Sequence, residues 1–479
     1  MNSKIIKNAV WLFSGQVVGR ALRAILIVVA ARLMGTSDWG VFSYAISLAA
    51  AFTVFSDVGI NALLVREGSK DSGLTRKYLS TGLAIKLILL TVLSLAAVFL
   101  KGVIIRIPEA ESLIHLIIII FVFDSLRDYV SALARSFERM DIEAEGQIIT
   151  NIGIVVFGLL FLFINPTADY LAFGYVLGTL IGLIAVFIPL RHYFKGLVKE
   201  FSRKLIREIL VSAWPFGLVS LMGVITINTD TIVLGSVGSA SDVGLFAAAQ
   251  KPVQLLYLIP SLLVAAFLPT LSREASETSE FRETLEKGLK AVYLFAIPLA
   301  LGGILASKSV VHLLYGPEFQ SSWASFALLS ATFFFVFPSI FFTNALFARG
   351  SQKSFYGYLA IGVVANVILD LALIPVLGIA GCALATLVVQ IALFIYGVIR
   401  LKKSLSFRVF PDIKRIVISA LVMAAAVVGL LLLNAHSAII VVSGFAVYFL
   451  MLMALREPTL KEVVDALRKK PGITSSVEV

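Results

Sequence analysis

Two arginines in the first hydrophobic stretch, residues 8–32, are the side chains best placed for chemistry. Gln16, Arg20 and Arg23 follow one another at intervals of four and three residues, so they share one stripe of a helix. A charge at mid-bilayer costs on the order of 3 kcal/mol, so these arginines must face protein or water. The stripe contains no acid, which favours a cationic wall for an anionic cargo. Pairing of both arginines with carboxylates on other helices is the alternative.

Further ionisable side chains lie inside other apolar stretches, where such groups line a pathway or pair internally. Asp124, Arg127 and Asp128 share one helical face, so they either neutralise one another or hold a proton or Na⁺. Lys251 precedes Pro252, whose ring bends a helix and suits a moving gate. The candidate cargo-binding residues are Gln16, Arg20, Arg23, Lys86 and Lys251, and the candidate ion-coupling residues are Asp57, Asp124, Arg127, Asp128 and Asp230.

The composition indicates which elements position these side chains. Of 479 residues, 59% are hydrophobic and 14% are charged, whereas about a quarter of a soluble protein is charged. The chain is therefore predicted to be an all-α polytopic membrane protein with about 14 transmembrane helices of roughly 20 residues each. The predicted spans are 8–32, 39–64, 78–100, 113–135, 146–164, 169–190, 209–235, 243–269, 288–307, 322–347, 354–374, 376–399, 413–434 and 437–455.

The distribution of lysine and arginine predicts the orientation. One set of connections and termini carries 31 of them and the opposite set carries 4, so both termini are predicted to be cytoplasmic. The net charge of +11 fits positive cytoplasmic loops and anionic headgroups better than a nucleic-acid partner. A single cysteine and four scattered histidines give no basis for a disulfide or a metal site.

The chain also repeats itself. Residues 37–42 (SDWGVF) open span two and residues 241–246 (SDVGLF) open span eight, and Asn151 in span five corresponds to Asn366 in span eleven. Six crossings separate the copies, so both run the same way through the membrane. This predicts two parallel-related six-helix bundles, at 1–200 and 201–400. Two appended transmembrane helices and a cytoplasmic amphipathic tail occupy 401–479.

Several short motifs resemble those of a known family. They are residues 8–11 (NAVW), 31–35 (ARLMG), 39–42 (WGVF) and 57–59 (DVG), followed by Arg66-Glu67. The chain resembles the polysaccharide transporter (Wzx-type) flippases of the multidrug/oligosaccharidyl-lipid/polysaccharide exporter superfamily over its whole length. The resemblance implies a flippase that moves polyprenyl-(pyro)phosphate-linked oligosaccharide across the cytoplasmic membrane by alternating access, for cell-surface polysaccharide or glycoconjugate synthesis.

No cofactor is expected, and an H⁺ or Na⁺ gradient is the candidate driving force, because Arg127 cannot neutralise both Asp124 and Asp128. Candidate partners are the lipid-linked cargo, the bilayer, and a polysaccharide polymerase or glycosyltransferases. The alternative is a cation-coupled multidrug antiporter of the same superfamily, which would need unpaired acids in its cavity. An enzyme is not expected, because the outer loops are short and the sequence has neither a Gly-rich phosphate loop nor paired catalytic acids.

Overall fold

The computed structural model describes residues 3–70, 72–275, 278–350 and 352–460, and within these ranges it contains helices and no strand. Four short 3₁₀ turns, Pro108–Glu111, Arg191–Phe194, Leu197–Glu200 and Pro317–Ser322, lie between the α-helices. The α-helices are α1 (Ser3–Phe55), α2 (Ile60–Gly68), α3 (Ser72–Phe99), α4 (Lys101–Ile104), α5 (Ile114–Ser136), α6 (Met140–Ile164), α7 (Ala168–Leu190), α8 (Arg203–Val237), α9 (Ala240–Leu256), α10 (Leu258–Arg273), α11 (Thr278–Leu305), α12 (Ser307–Tyr315), α13 (Trp323–Ala331), α14 (Phe333–Ala348), α15 (Gln352–Leu377), α16 (Ile379–Lys402), α17 (Lys414–Leu432) and α18 (Ser437–Ala454).

Eleven helical segments of the described chain are long and apolar enough to cross a membrane. They coincide with predicted span three and with predicted spans five to fourteen. Span one falls on the first arm of α1, which turns at Gly35 (φ 76°), and span four falls on α5. Span two, predicted as continuous over 39–64, is interrupted, because the second arm of α1 ends at Phe55 and α2 begins at Ile60. Charged residues lie inside the first arm of α1 and inside α5, so these two segments are not identified as membrane spans by apolarity alone. The all-α membrane class is confirmed, and the count of fourteen crossings stays a prediction.

The chain divides into two compact units. Unit 1 comprises Met1–Pro252, Pro317–Ser322 and Gly362–Ala385, and unit 2 comprises Val253–Gly316, Trp323–Ile361 and Thr386–Val479. Nothing in this division tests the predicted bundle boundaries near residues 200 and 400, which remain a prediction.

Small residues allow the helices of unit 1 to approach closely. α6 and α7 pack as a hairpin in which Gly153 lies against Gly178 and Gly158 lies against Gly174. On α1, a side chain at Gly19 would collide with Asn151 of α6. Helices in lipid gain stability mainly from such close packing and from interhelical hydrogen bonds. The glycine on α1 therefore makes room for a polar neighbour beside the arginine stripe.

The two copies of the repeated SD-x-G motif pack against each other within unit 1. A Cβ atom at Gly40 would overlap the carbonyl oxygen of Ala240, and one at Gly244 would overlap the carbonyl oxygen of Thr36. The Ser241 hydroxyl donates to the Thr36 hydroxyl at 2.9 Å, and the Thr36 amide donates to Glu318 at 3.0 Å. The motif thus specifies a backbone-to-backbone contact that larger residues would prevent.

Unit 2 is built around α11, with a buried aromatic layer contributed by α14. The Tyr448 hydroxyl of α18 donates to the Leu294 carbonyl at 2.6 Å, and the Lys290 ammonium lies 2.8 Å from the Glu457 carboxylate just after α18. Burial opposes ionisation of Glu457, but hydrogen bonds from Lys290 and Thr459 outweigh it and lower the pKa of that carboxyl. These contacts attach α18 to the rest of unit 2.

Candidate functional site

The arginine stripe lies on the first arm of α1 in unit 1. Arg20 is exposed and Arg23 is half-buried. The Arg23 Nε donates to the Asn151 Oδ1 at 2.5 Å, and the Asn151 amide donates in turn to the Gln147 carbonyl at 2.6 Å. Among the described residues neither arginine forms an ion pair with a carboxylate. The side chain of Gln16 lies outside the described part.

Another cation of unit 1 is repelled by the charge of Arg23. Lys251, half-buried in α9 beside Pro252, interacts electrostatically with Arg23. Arg23 also interacts with Asp124, but that carboxylate forms its ion pair with Arg127, at 2.8 Å. Two partly buried cations that share no dedicated acid suit an anionic ligand, because phosphate oxygens would supply the missing charge.

The predicted cluster on α5 forms as its spacing indicated. The Arg127 guanidinium lies 2.8 Å from Asp124 and 3.0 Å from Asp128, so one cation serves two carboxylates. Its side chain is only 17% exposed, whereas that of Asp128 is 45% exposed. The pairing is therefore established, and a role of either acid in proton or Na⁺ binding stays a prediction.

Lys86 and Asp57, predicted separately for cargo and for ion coupling, form a single ion pair. Lys86 is completely buried, and its ammonium lies 3.3 Å from the Asp57 Oδ1 and 3.4 Å from the Asn61 Oδ1. It also stands 5.6 Å from the centre of the Tyr129 ring, which adds a cation–π contact. The pair borders a cavity of 460 Å³ in unit 1.

Asp230 belongs to a polar cluster that lies elsewhere in unit 1. The ligand atoms of Asp230, Asp370 and Cys382 all lie within 4.8 Å of one another, and all three residues are buried. The Gln250 amide donates to the Asp230 Oδ2 at 3.4 Å. The Cys382 thiol donates to the Asp230 carbonyl at 3.7 Å, so it acts as a weak donor here.

The donor set of this cluster fits a hard monovalent cation or a proton. The Gln250 Oε1 and the Asn366 Oδ1 are buried without a hydrogen-bond donor among the described residues, and the buried Asp370 carboxylate lies beside the Cys382 thiol and the Asp230 carboxyl. Oxygen-rich sets of this kind bind hard cations, whereas soft metals prefer thiolates. Two buried carboxylates in proximity require a proton or a cation between them. These residues are the ones that would hold Na⁺ or a proton.

The sequence predicts a role in ion coupling for Asp230 alone in this cluster, and no spacing connects it with Asp370, Gln250 or Cys382. One signal was available, since Asn366 and Asp370 are four residues apart and share a face of α15. The contact with Asp230 is long-range, and no local spacing predicts it.

The Arg66-Glu67 motif forms a local ion pair at the end of α2. The Arg66 Nε lies 2.7 Å from Glu67, Lys70 lies 3.1 Å from the same carboxylate, and the Arg66 guanidinium sits 5.5 Å from the centre of the Phe216 ring. The small burial of Glu67 raises its pKa, but hydrogen bonds from Lys70 and Arg66 reverse this and lower it. The motif therefore stabilises the end of a helix and is not aimed into a cavity.

The sequence and the fold are both similar to those of known membrane transporters and flippases. A proposed O-antigen transporter of Shigella flexneri is 23% identical over 365 residues, which cover 73% of this chain and 86% of that protein. The lipid II flippase MurJ, solved in an inward closed conformation, shares the fold with a TM-score of 0.75 at 17% identity, over 94% of this chain and 99% of that one. An inward-facing multidrug resistance transporter of the MATE family shows a TM-score of 0.58 at 15% identity, over 82% and 96% of the two chains.

The family model described as polysaccharide biosynthesis protein matches residues 5–275, more than half of the chain. This range contains the NAVW, ARLMG and DVG motifs, the arginine stripe on α1, the ion pair of Lys86 and the repeated motif at Gly40 and Gly244. The eleven apolar helices and the shared fold identify a multi-pass membrane protein. This chain is a member of the polysaccharide biosynthesis protein family.

Proposed function

We propose that this protein flips polyprenyl-(pyro)phosphate-linked oligosaccharide across the cytoplasmic membrane by alternating access. The observation that carries the proposal is the set of cations in unit 1, Arg20 and Arg23 on one stripe of α1 and Lys251 on α9, none of which forms an ion pair with a carboxylate among the described residues. A phosphate headgroup crossing a low-dielectric interior must be matched by positive charge. Membership of a polysaccharide biosynthesis family and the fold shared with a lipid II flippase support the same cargo class.

Arginine suits this task for two reasons. Its guanidinium stays protonated at any physiological pH, and its planar fork binds two phosphate oxygens at once. The bond from the Arg23 Nε to Asn151 orients the guanidinium and leaves its terminal nitrogens for the cargo. Release on the far side requires water beside the arginines. Arg20 is exposed on unit 1, and a charge within the membrane is costly unless it faces water or protein, so we infer a hydrated path along the stripe.

A reconstituted flipping assay tests the proposal. Purified protein in liposomes receives a polyprenyl pyrophosphate-linked glycan carrying a fluorescent sugar, and a membrane-impermeant quencher reports which leaflet holds it. We expect flipping that protein-free liposomes lack. Flipping of dansyl phosphatidylethanolamine at the same rate would point to a non-specific scramblase and would contradict the proposed cargo class.

We propose further that a cation gradient drives transport through the cluster of Asp230 and Asp370. The support is the close approach of two buried carboxyl groups, Asp230 and Asp370, beside oxygens of Asn366 and Gln250 that have no hydrogen-bond donor among the described residues. Buried ionisable groups inside a membrane commonly form ion or proton pathways. Imposing Na⁺ and pH gradients separately on the same liposomes distinguishes the two ions.

The membrane arrangement and the partners are also part of the proposal. Both termini are cytoplasmic, as the excess of lysine and arginine in one set of loops indicates. The protein acts as a transporter and catalyses no covalent step, in line with relatives that are named as transporters and flippases. A polysaccharide polymerase or glycosyltransferases are its candidate protein partners.

A second candidate is the cation-coupled multidrug antiporter. The observation in its favour is the same acidic pair, because Asp230 and Asp370 provide the negative charge that a cationic drug would need. Transport of ethidium against a Na⁺ or proton gradient in the same liposomes tests it. Ethidium transport together with no flipping of lipid-linked glycan would favour this candidate over the flippase.

A further inference from the structure

A cavity of 460 Å³ lies in unit 1 beside the break between α1 and α2. Its lining includes Thr53 of α1, Asn61 of α2, Lys86 of α3, Asp128 of α5 and Ser220 of α8. Five helices therefore contribute polar side chains to one concave surface. The volume falls within the range of about 300–1,000 Å³ that is typical of small-molecule sites.

Two cations and two carboxylates line this cavity, so the lining carries no net charge, and each of the four has an ion-pair partner. Lys86 pairs with Asp57 at 3.3 Å, Asp128 pairs with Arg127 at 3.0 Å, and Arg135 pairs with Glu143 at 2.7 Å. No surplus cation remains to hold a phosphate, in contrast to the site of Arg23 and Lys251. What the lining offers is a mixture of donors and acceptors, including the Asn61 amide and the Ser220 hydroxyl.

The wall of the cavity is held in place by buried contacts and by close backbone packing. Lys86 is completely buried, and the Asp57 Oδ1 also accepts a hydrogen bond from the Asn61 backbone amide at 3.1 Å. Val58 adopts a φ of 46°, which is rare for a β-branched residue. Gly59 follows at φ 85° in a position where a Cβ atom would overlap the Ala213 carbonyl oxygen. Strain of this kind persists where the surroundings fix it, and it clusters at functional sites.

We propose that this cavity binds uncharged sugar residues of the cargo, separately from the cationic site that holds the phosphates. The proposal rests on the proposed function. A sugar ring presents hydroxyls that both donate and accept hydrogen bonds, which matches a polar lining without net charge. The cavity is bordered by the ends of α1, α2 and α5 that the loop charges place on the cytoplasmic side, where the glycan would enter.

Filling the cavity tests this assignment. Ala62→Trp places a large side chain among the lining residues, and Ile88→Trp, at a position of α3 that is 64% exposed, is the matched control. Two cargoes are compared in liposomes: polyprenyl pyrophosphate carrying a tetrasaccharide and the same carrier with one N-acetylglucosamine. Losing two neutral hydrogen bonds to the glycan costs about 1–3 kcal/mol. We therefore expect Ala62→Trp to lower the flipping rate of the tetrasaccharide cargo about tenfold or more. The flipping rate of the single-sugar cargo should change less than about twofold in Ala62→Trp, because this cargo is too short to lose those hydrogen bonds.

A binding measurement keeps the result independent of flipping and of any folding defect. Thr53→Cys introduces a thiol into the lining, and the native cysteine, Cys382, is buried. Tetrasaccharide-linked carrier should slow maleimide labelling of this thiol, and inorganic pyrophosphate should not. The assignment is overturned if pyrophosphate protects equally, if neither ligand protects, or if Ala62→Trp slows both cargoes equally. Protection in a protein that flips no cargo would uphold the sugar site and contradict the proposed function.

Discussion

The buried ion pair between Lys86 and Asp57 allows a quantitative prediction. Replacing Asp57 by Asn retains an oxygen for the Asn61 amide and for the Lys86 ammonium, but it removes the counter-charge of a completely buried cation. Breaking a buried pair by removing one partner costs about 3–5 kcal/mol, because the remaining charge is left uncompensated. Since Tyr129 and Asn61 still contact the ammonium, we expect the lower end, about 3 kcal/mol.

A double mutant separates the charge from the shape of the site. Lys86→Met combined with Asp57→Asn removes both charges and keeps a side chain of similar length, so its stability should return to within about 1 kcal/mol of the wild type. The assay is reversible unfolding in mixed micelles of increasing SDS content, followed by far-UV circular dichroism. The reasoning is refuted if Asp57→Asn costs less than about 1 kcal/mol, or if the double mutant is as unstable as the single one.

Three further predictions address packing, electrostatics and coupling. Gly40→Ala should lower the unfolding temperature by several degrees, because its methyl group would overlap a backbone carbonyl, whereas Gly223→Ala, in open space on a helix, should stabilise by about 0.5–1 kcal/mol. The lowered pKa of Glu457 means that its bond with Lys290 contributes stability above the unfolded pKa of about 4.5. That contribution is lost as the pH falls further, so Glu457→Gln should flatten the acid limb of a thermal-stability profile. Asp370→Asn should abolish the response of flipping to Na⁺ or pH gradients while the protein remains folded.

Each of these predictions has a clear contrary result. Equal effects of alanine at Gly40 and Gly223 would contradict the close backbone packing of the repeated motif. An unchanged acid limb in Glu457→Gln would show that other carboxylates dominate the loss of stability. Gradient-driven flipping by Asp370→Asn at the wild-type rate would make the cluster with Asp230 structural.

The sequence was most informative where local spacing determines geometry. The apolar stretches predicted the membrane class, and the spacing of Asp124, Arg127 and Asp128 predicted one cluster on α5. The repeated SD-x-G motif was recognised as a copy, but its meaning, a glycine contact between the copies at Gly40 and Gly244, became clear only from the fold. Neighbouring residues on one helix obey a fixed period, and contacts between helices do not.

The remaining parts of the site depend on long-range packing. Asn151 was noted only as a repeated residue, and nothing local indicates that it would orient Arg23 from α6. Likewise Lys86 and Asp57 were assigned to different roles, because their separation along the chain does not reveal that a break after α1 brings them together. Asp370 meets Asp230 in the same long-range manner. Polar residues within spans were therefore identifiable as important, while their partners were not.

Flipping by a matched series at Arg23 tests the central claim most directly. Arg23→Lys retains the charge and loses the fork, and Arg23→Gln loses both, so flipping of polyprenyl pyrophosphate-linked glycan should fall in that order. Loss of a charge-assisted phosphate contact is worth about 1.5–3 kcal/mol, which corresponds to a decrease of about tenfold or more for Arg23→Gln. Thermal stability should fall by no more than the loss of the hydrogen bond from Arg23 to Asn151, about 1–3 kcal/mol, because Arg23 has no ion pair with a described carboxylate. Wild-type flipping by Arg23→Gln, alone and combined with Lys251→Gln, would contradict the cationic site as the cargo's phosphate contact.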